Sequence, residues 1–422
     1  MKANYTPGIE KEPSATYRWT VLFFISMAMF GNYYIYDSIS PLADLLKKQL
    51  GFSDANIGLL NAIYSLPNII MVLIGGIIID RIGTKKASFL FSAFCMVGAI
   101  ITVLQGKLFS MAAGRLIFGM GAESLIVAVT TVIAKWFRGK EFSLAFGLNL
   151  TVARLGSFTA INSPTIFKPL YTSWQKPLFV SAIAGLVSVI AVIIYFLLES
   201  KAAKRYTLLE GEKIQKIDLK RIFTMQPSFW YVVLLCVTFY SAIFPFQTFA
   251  VKFFMEQHGL TREVASRSSS LIVLAAMIGT PLFGLLIDKV GRRASLMMLG
   301  SILILPVYLV LAYSTIHPLF SMLAMGVAFS LVPAAMWPSV ALIVDQERLG
   351  TAYGLMTMIQ NIGLAGFNLL IGFANDVSGG YTLGMWIFSS LGFFGMLFAW
   401  LLRKSDLKHD EGRLEHSTMM RG

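Results

Sequence analysis

The chain has 422 residues, of which 56% are hydrophobic and 14% charged, and its mean hydropathy is +0.70. A soluble globule carries about 25% charged residues, so this composition excludes a single water-soluble domain and makes lipid part of the solvent. The net charge of +13 does not signal a nucleic-acid partner, because the basic residues sit in short loops between apolar runs, where they set topology. The two cysteines, Cys95 and Cys236, both fall inside apolar runs and imply neither a disulfide framework nor a metal cluster.

The first 17 residues are polar and lead into a full-length span rather than the short apolar core of a cleavable signal. Apolar runs long enough to cross about 30 Å of hydrocarbon then recur twelve times, over 18–40, 55–79, 87–105, 108–134, 142–167, 177–199, 228–253, 263–287, 294–314, 318–343, 352–375 and 382–402. Alternating strand patterns are absent, so the expected fold is an all-α membrane protein of twelve transmembrane helices. With the N-terminus inside, the inner segments hold 25 Lys and Arg and the outer ones 8, the latter including Lys47, Lys48, Lys252 and Arg262. That bias predicts both termini in the cytoplasm. The expected organisation is a cytoplasmic tail (1–17), a six-helix bundle (18–199), a basic cytoplasmic linker (200–227), a second six-helix bundle (228–402) and a cytoplasmic tail (403–422).

The two bundles repeat one pattern. Gly51, Gly76 and Asp80 reappear as Gly259, Gly284 and Asp288, all offset by 208 positions. After span two the chain reads Asp80-Arg81-Ile-Gly83-Thr-Lys85-Lys86, and after span eight Asp288-Lys289-Val-Gly291-Arg292-Arg293. Each glycine permits a tight turn, and each Asp ends a helix where it can pair with nearby cations or a helix N-terminus. Topology control alone is one reading of these loops; a latch for one conformation of the transport cycle is the other. The duplicated Gly-x-x-x-Asp-Arg-x-Gly-x-Lys-Lys loop resembles the signature of the major facilitator superfamily. The resemblance implies that superfamily's fold, two pseudo-symmetric six-helix bundles, with alternating access between them.

Three ionisable residues lie at bilayer depth: Arg115 and Glu123 on span four and Arg154 on span five. Such residues are costly in lipid and mark functional sites by default. Glu123 lies about 22 Å into its span and Arg154 about 18 Å into the next, at about 1.5 Å per residue. They form either a structural ion pair or two poles facing a central cavity. In the second reading a zwitterion fits, with Glu123 on its amine and Arg154 clamping its carboxylate. Arg115, Gly119 and Glu123 share a helix face, and Arg115 is read either as a gating residue or as a structural partner. Tyr36 and Asp37 on span one, Tyr64, Pro67 and Asn68 on span two, Tyr240, Phe244 and Gln247 on span seven, Trp337 on span ten, and Gln360 and Asn361 on span eleven are further candidates for the pathway lining, against simple packing. The amides are favoured among them because a polar side chain in lipid wants a partner.

Runs such as Tyr36-Asp37, Tyr64-Ser65-x-Pro67-Asn68, Gly121-x-Glu123-Ser124-Leu125, Ala153-Arg154-x-Gly156-Ser157, Trp337-Pro338 and Gln360-Asn361 are similar to the lysosomal dipeptide transporter branch of that superfamily. The branch implies that Glu123 and Arg154 hold the two termini of a dipeptide. The N-terminal tail departs from it in lacking an acidic dileucine sorting signal, and the outer loops are short. The expectation is therefore a cell-membrane transporter, by uniport or proton-linked symport, with a lysosomal location less favoured. Proton coupling through Glu123 or Asp37 stays open. An organic-anion symporter and a non-transporting membrane sensor or scaffold are the alternatives. No cofactor, metal site, nucleic-acid partner or enzyme chemistry is expected, and the anticipated partners are a small solute and the bilayer around a monomer.

Overall fold

The computed structural model describes residues 13–137, 141–204, 206, 225–345, 348–409 and 412–416. The linker and its basic cluster fall almost wholly outside these, as do Met1 to residue 12 of the N-terminal tail.

Among the described residues, fourteen α-helices account for the spans. In the first half they are α1 (Ala15–Asp37), α2 (Ala43–Leu50), α3 (Asp54–Ile63), α4 (Ser65–Leu104), α5 (Leu108–Phe137), α6 (Phe142–Ile161), α7 (Ser163–Ile166) and α8 (Gln175–Ala202). In the second half they are α9 (Pro227–Gln257), α10 (Arg262–Val290), α11 (Arg293–Tyr313), α12 (Pro318–Ile343), α13 (Leu349–Ser378) and α14 (Thr382–His409). Among the described residues, eleven helical stretches are long and apolar enough to cross a bilayer. With α1 they make twelve crossings. The 23 residues of α1 are of spanning length, but Asn32, four tyrosines and Asp37 dilute its apolar character.

Local chemistry explains where the second span departs from one straight helix. It divides at Tyr64 into α3 and the start of α4, because Pro67 has no amide hydrogen to donate to Ile63 and crowds the preceding turn. At Gly83, φ is 78° and ψ 161°, so α4 is two helices, spans two and three, joined by a tight turn. Gly291 makes the equivalent turn between α10 and α11 at φ 71°. The repeat extends to the helix starts. Gly51 and Gly259 both adopt positive φ, and Ser53 and Thr261 each cap the next helix through a side-chain oxygen. The last helix runs to His409, beyond the expected end at 402. Gly412–His416 then folds back on the α10–α11 turn, with Leu414 fully buried.

Twelve crossings return the chain to its starting end, here called the termini end. Both duplicated loops lie there. At the opposite, far end, α13 packs closely on α3. A Cβ on Gly58 would stand 2.3 Å from the Asn368 carbonyl oxygen, and one on Gly372 would stand 2.4 Å from that of Asp54. Ion pairs bridge the halves at the same end, Lys252–Asp54 at 2.7 Å, Arg262–Asp44 at 2.6 Å and Lys168–Glu263 at 2.8 Å. The halves are thus sealed on the far side of a central cavity.

Candidate functional site: a charged cavity between the halves

The cavity has a volume of about 230 Å³ and takes walls from both halves. From the first half come Asn32, Tyr33, Tyr36 and Asp37 on α1, Tyr64 at the α3–α4 break, Phe118 and Glu123 on α5, and Arg154 and Ser157 on α6. The second half supplies Tyr240, Phe244 and Gln247 on α9, Val273 and Ala276 on α10, Phe329 on α12 and Gln360 on α13.

Glu123 and Arg154 therefore face one space, each half-buried. They are not paired with each other, and among the described residues neither has an ion-pair partner. The structural ion-pair reading does not describe this arrangement. Arg154 instead reaches across the seam, donating from Nη1 to Thr280 Oγ1 at 3.3 Å and lying over the Phe329 ring at 5.8 Å from its centre. That leaves most of its donors for a ligand. Asp37 adds a second carboxylate to the wall.

Arg115 has a different fate. It is 1% exposed and its hydrogen bonds go to the protein frame. Nε donates to the Leu60 carbonyl at 3.2 Å, Nη1 to that of Ile35 at 3.0 Å, and Nη2 to that of Tyr36 and to Asn61 Oδ1, both at 3.2 Å. The last turn of α1 leaves carbonyls short of helical partners, that of Ile35 being shared with the Ser38 cap. At the end of α3 the Tyr64 amide turns to Ala62, leaving the Leu60 carbonyl to Arg115. A cation at these two helix C-termini is held by their dipoles. The rings of Tyr64 and Phe118 flank it at 5.5 and 5.0 Å.

Of the other expected lining residues, Tyr36, Tyr64, Tyr240, Gln247 and Gln360 reach the cavity, whereas Asn68, Trp337 and Asn361 lie outside its lining. Asn68 is fully buried in α4. Asn361 turns its amide onto the Thr357 carbonyl of its own helix at 3.0 Å. Trp337 stands behind the wall, donating from Nε1 to the Tyr240 hydroxyl at 2.9 Å, while Tyr353 donates to the Trp337 carbonyl at 3.0 Å. Rings close the far side: Tyr36 meets Tyr64 edge-on at 4.8 Å and Phe244, across the seam, at 6.1 Å. Sequence reasoning missed Phe329 and the α10 face of Val273, Ala276 and Thr280. Their spacing of three and four marks one helix face, but small residues at that spacing read equally as packing.

At the termini end, Asp288 pairs with Arg293 at 2.7 Å, and Lys85 donates to Ser200 at 3.2 Å. Asp80, Arg81, Lys86 and Arg292 are exposed. Beside them Glu199, 2% exposed, accepts from Lys135 at 2.8 Å, from Trp136 at 3.1 Å and from Tyr195. Sequence reading did not single out Glu199, because it sits at a span end.

Two six-helix bundles around a mid-depth charged cavity define a secondary transporter. The sequence profile described as "Major Facilitator Superfamily" matches residues 22–276 and 246–417, and the chain belongs to that superfamily. The lysosomal dipeptide transporter MFSD1 of Danio rerio is 34% identical over 376 residues, which cover 86% of this chain and 82% of the relative. MFSD1 of Homo sapiens is 30% identical over 430 residues, 98% of this chain and 92% of the relative. The fold matches the crystal structure of a bacterial homologue of the human lysosomal transporter Spinster, in its inward-facing and unoccupied conformation. The TM-score is 0.73 at 18% identity, over 94% of this chain and 99% of that one. The chain is a multi-pass membrane transporter of this superfamily and not an enzyme.

Proposed function

We propose that the protein carries dipeptides across the membrane by alternating access, with Glu123 binding the α-amine and Arg154 the α-carboxylate. One observation carries the reading: the two side chains open into one cavity, and among the described residues each lacks an ion-pair partner. Charges left in that state at membrane depth are costly, and a zwitterion lying between them would supply both counter-charges. The volume of about 230 Å³ is below the range of drug-sized pockets, about 300–1,000 Å³, which suits a solute of one or two residues. Similarity to MFSD1 supports the same reading.

The alternative of an organic-anion symporter fits less well. An anion would gain Arg154 but meet two carboxylates, Glu123 and Asp37, in the same walls. The cycle is uniport or proton-linked symport, with Glu123 and Asp37 the groups available to carry a proton. We place the protein in the cell membrane with both termini in the cytoplasm, on its Lys and Arg distribution; the named relatives are lysosomal.

Thermal stabilisation of the purified protein by a panel of dipeptides, amino acids and organic anions tests the substrate class. Uptake into liposomes with and without a pH gradient tests the coupling. Dipeptides should stabilise and be taken up, and Glu123→Gln and Arg154→Ala should each abolish both effects. Unchanged uptake in both variants would overturn the site.

A further inference from the structure

We infer that the far end is closed by a double ion-pair gate, built from two pseudo-symmetric copies of the same two positions, with the carboxylates all in the first half and the cations all in the second. The 208-residue offset that carries Gly51 onto Gly259 also carries Asp44 onto Lys252 and Asp54 onto Arg262. The bonding is crossed. Lys252 Nζ donates to both Asp54 oxygens, at 2.7 and 3.0 Å, and Arg262 Nη2 donates to Asp44 at 2.6 Å. Each position in one half thus bonds the other position in the opposite half. A two-fold axis demands this reciprocity, in which residue i contacts j and j contacts i. What breaks the symmetry is charge, because at these two positions each half carries a single sign, the reverse of the neighbouring Lys168–Glu263 pair.

The surroundings fit a closed gate. Asp44, Asp54 and Lys252 are at most 3% exposed. Asn375 donates to Asp54 at 3.2 Å, and the Tyr381 hydroxyl accepts from Lys252 at 2.8 Å while donating to Glu256 at 2.6 Å. Asp376 adds another tie from the second half, accepting from the Asp54 and Ala55 amides at the start of α3, at 2.9 and 2.8 Å. The Arg262–Asp44 pair is less complete, leaving Arg262 Nη1 and Asp44 Oδ1 unbonded.

Buried charge suits a gate better than an apolar plug. A buried ion pair roughly breaks even against hydrated separate ions, yet losing one partner is heavily destabilising. When the halves part at this end, water enters and solvates both charges. The two states can therefore stay within a few kcal/mol of each other, as alternation requires. Within each half the gate charges have one-turn neighbours, Lys48 at 3.6 Å from Asp44 and Glu256 at 3.3 Å from Lys252, but the shorter bonds of 2.6 and 2.7 Å form only where the halves meet.

The test uses the purified full chain with Cys95→Ala and Cys236→Ala, and Leu60→Cys as reporter. Leu60 is fully buried on α3, between the halves. Asp54→Asn and Lys252→Met should each raise its rate of modification by a water-soluble maleimide about tenfold or more. The first removes the Lys252 bond across the seam, leaving it the half-exposed Glu256 at 3.3 Å, and the second leaves Asp54 buried without its cation. The swapped pair Asp54→Lys/Lys252→Asp should return the rate towards that of the parent. Single variants at the parental rate overturn the gate, and so does a swapped pair as reactive as the singles. Should the deeply buried variants fail to fold, Arg262→Gln on the less buried pair decides: a faster reporter supports the gate and an unchanged one overturns it. The readout needs no solute, so it stands apart from the dipeptide assignment.

Discussion

Arg115 and Arg154 are the same residue type on adjacent helices of one bundle, and their neighbours give them opposite work. Arg115 spends its donors on carbonyls from α1 and α3 and on Asn61, so it fixes the frame of the cavity. Arg115→Leu would strand the Tyr36 and Leu60 carbonyls, while that of Ile35 keeps Ser38, and should cost on the order of 3 kcal/mol, read as a lowered melting temperature in detergent. Arg154 keeps one hydrogen bond, to Thr280, and has donors to spare. Arg154→Lys keeps the charge but loses the planar fork that grips a carboxylate bidentately. Dipeptide uptake should fall about tenfold or more, about 1.4 kcal/mol, with the melting temperature unchanged. A fall in stability without a fall in uptake would place Arg154 with Arg115 among the frame residues.

At the scale of elements, the site depends on how closely α5 approaches the break between α3 and α4. A Cβ on Gly119 would lie 2.1 Å from the Tyr64 carbonyl oxygen, a backbone atom that cannot swing aside. Gly119→Ala should therefore displace α5 and Glu123 with it, costing about 1–3 kcal/mol and weakening solute-dependent thermal stabilisation. Opposite, α9 and α12 form an aromatic corner. Tyr240 and Phe244 stack at 5.6 Å, and Phe329 meets Phe244 edge-on at 5.7 Å. Because Arg154 also packs on Phe329, Phe329→Ala should loosen the carboxylate clamp proposed for Arg154, raising the KM for uptake more than it lowers the maximal rate. At the termini end, Glu415 accepts from the Ser295 amide at 2.9 Å and the Ser295 hydroxyl at 2.8 Å, capping α11. Glu415→Ala should cost about 1 kcal/mol, seen in thermal unfolding.

For the whole molecule, the twelve crossings and the division into related halves were legible, because hydrocarbon imposes a length and an apolar content on every span and duplication leaves a constant offset. The deep charges were legible for the opposite reason, since a charge in lipid stands out against that content. Burial partners were not. The sequence could not tell Arg115 from Arg154, because that depended on carbonyls freed at the ends of α1 and α3. Nor could it show that Trp337 supports Tyr240 from behind the cavity wall. Lys252 and Arg262 read as ordinary outer basic residues that set topology, and only the meeting of the halves revealed their carboxylate partners on α3 and α2. Period, length and charge at depth are properties of single segments, and the sequence by itself determined those. Which charge faces the cavity, which is spent on the frame and which closes the far end are properties of pairs distant in the chain, decided only when the halves pack.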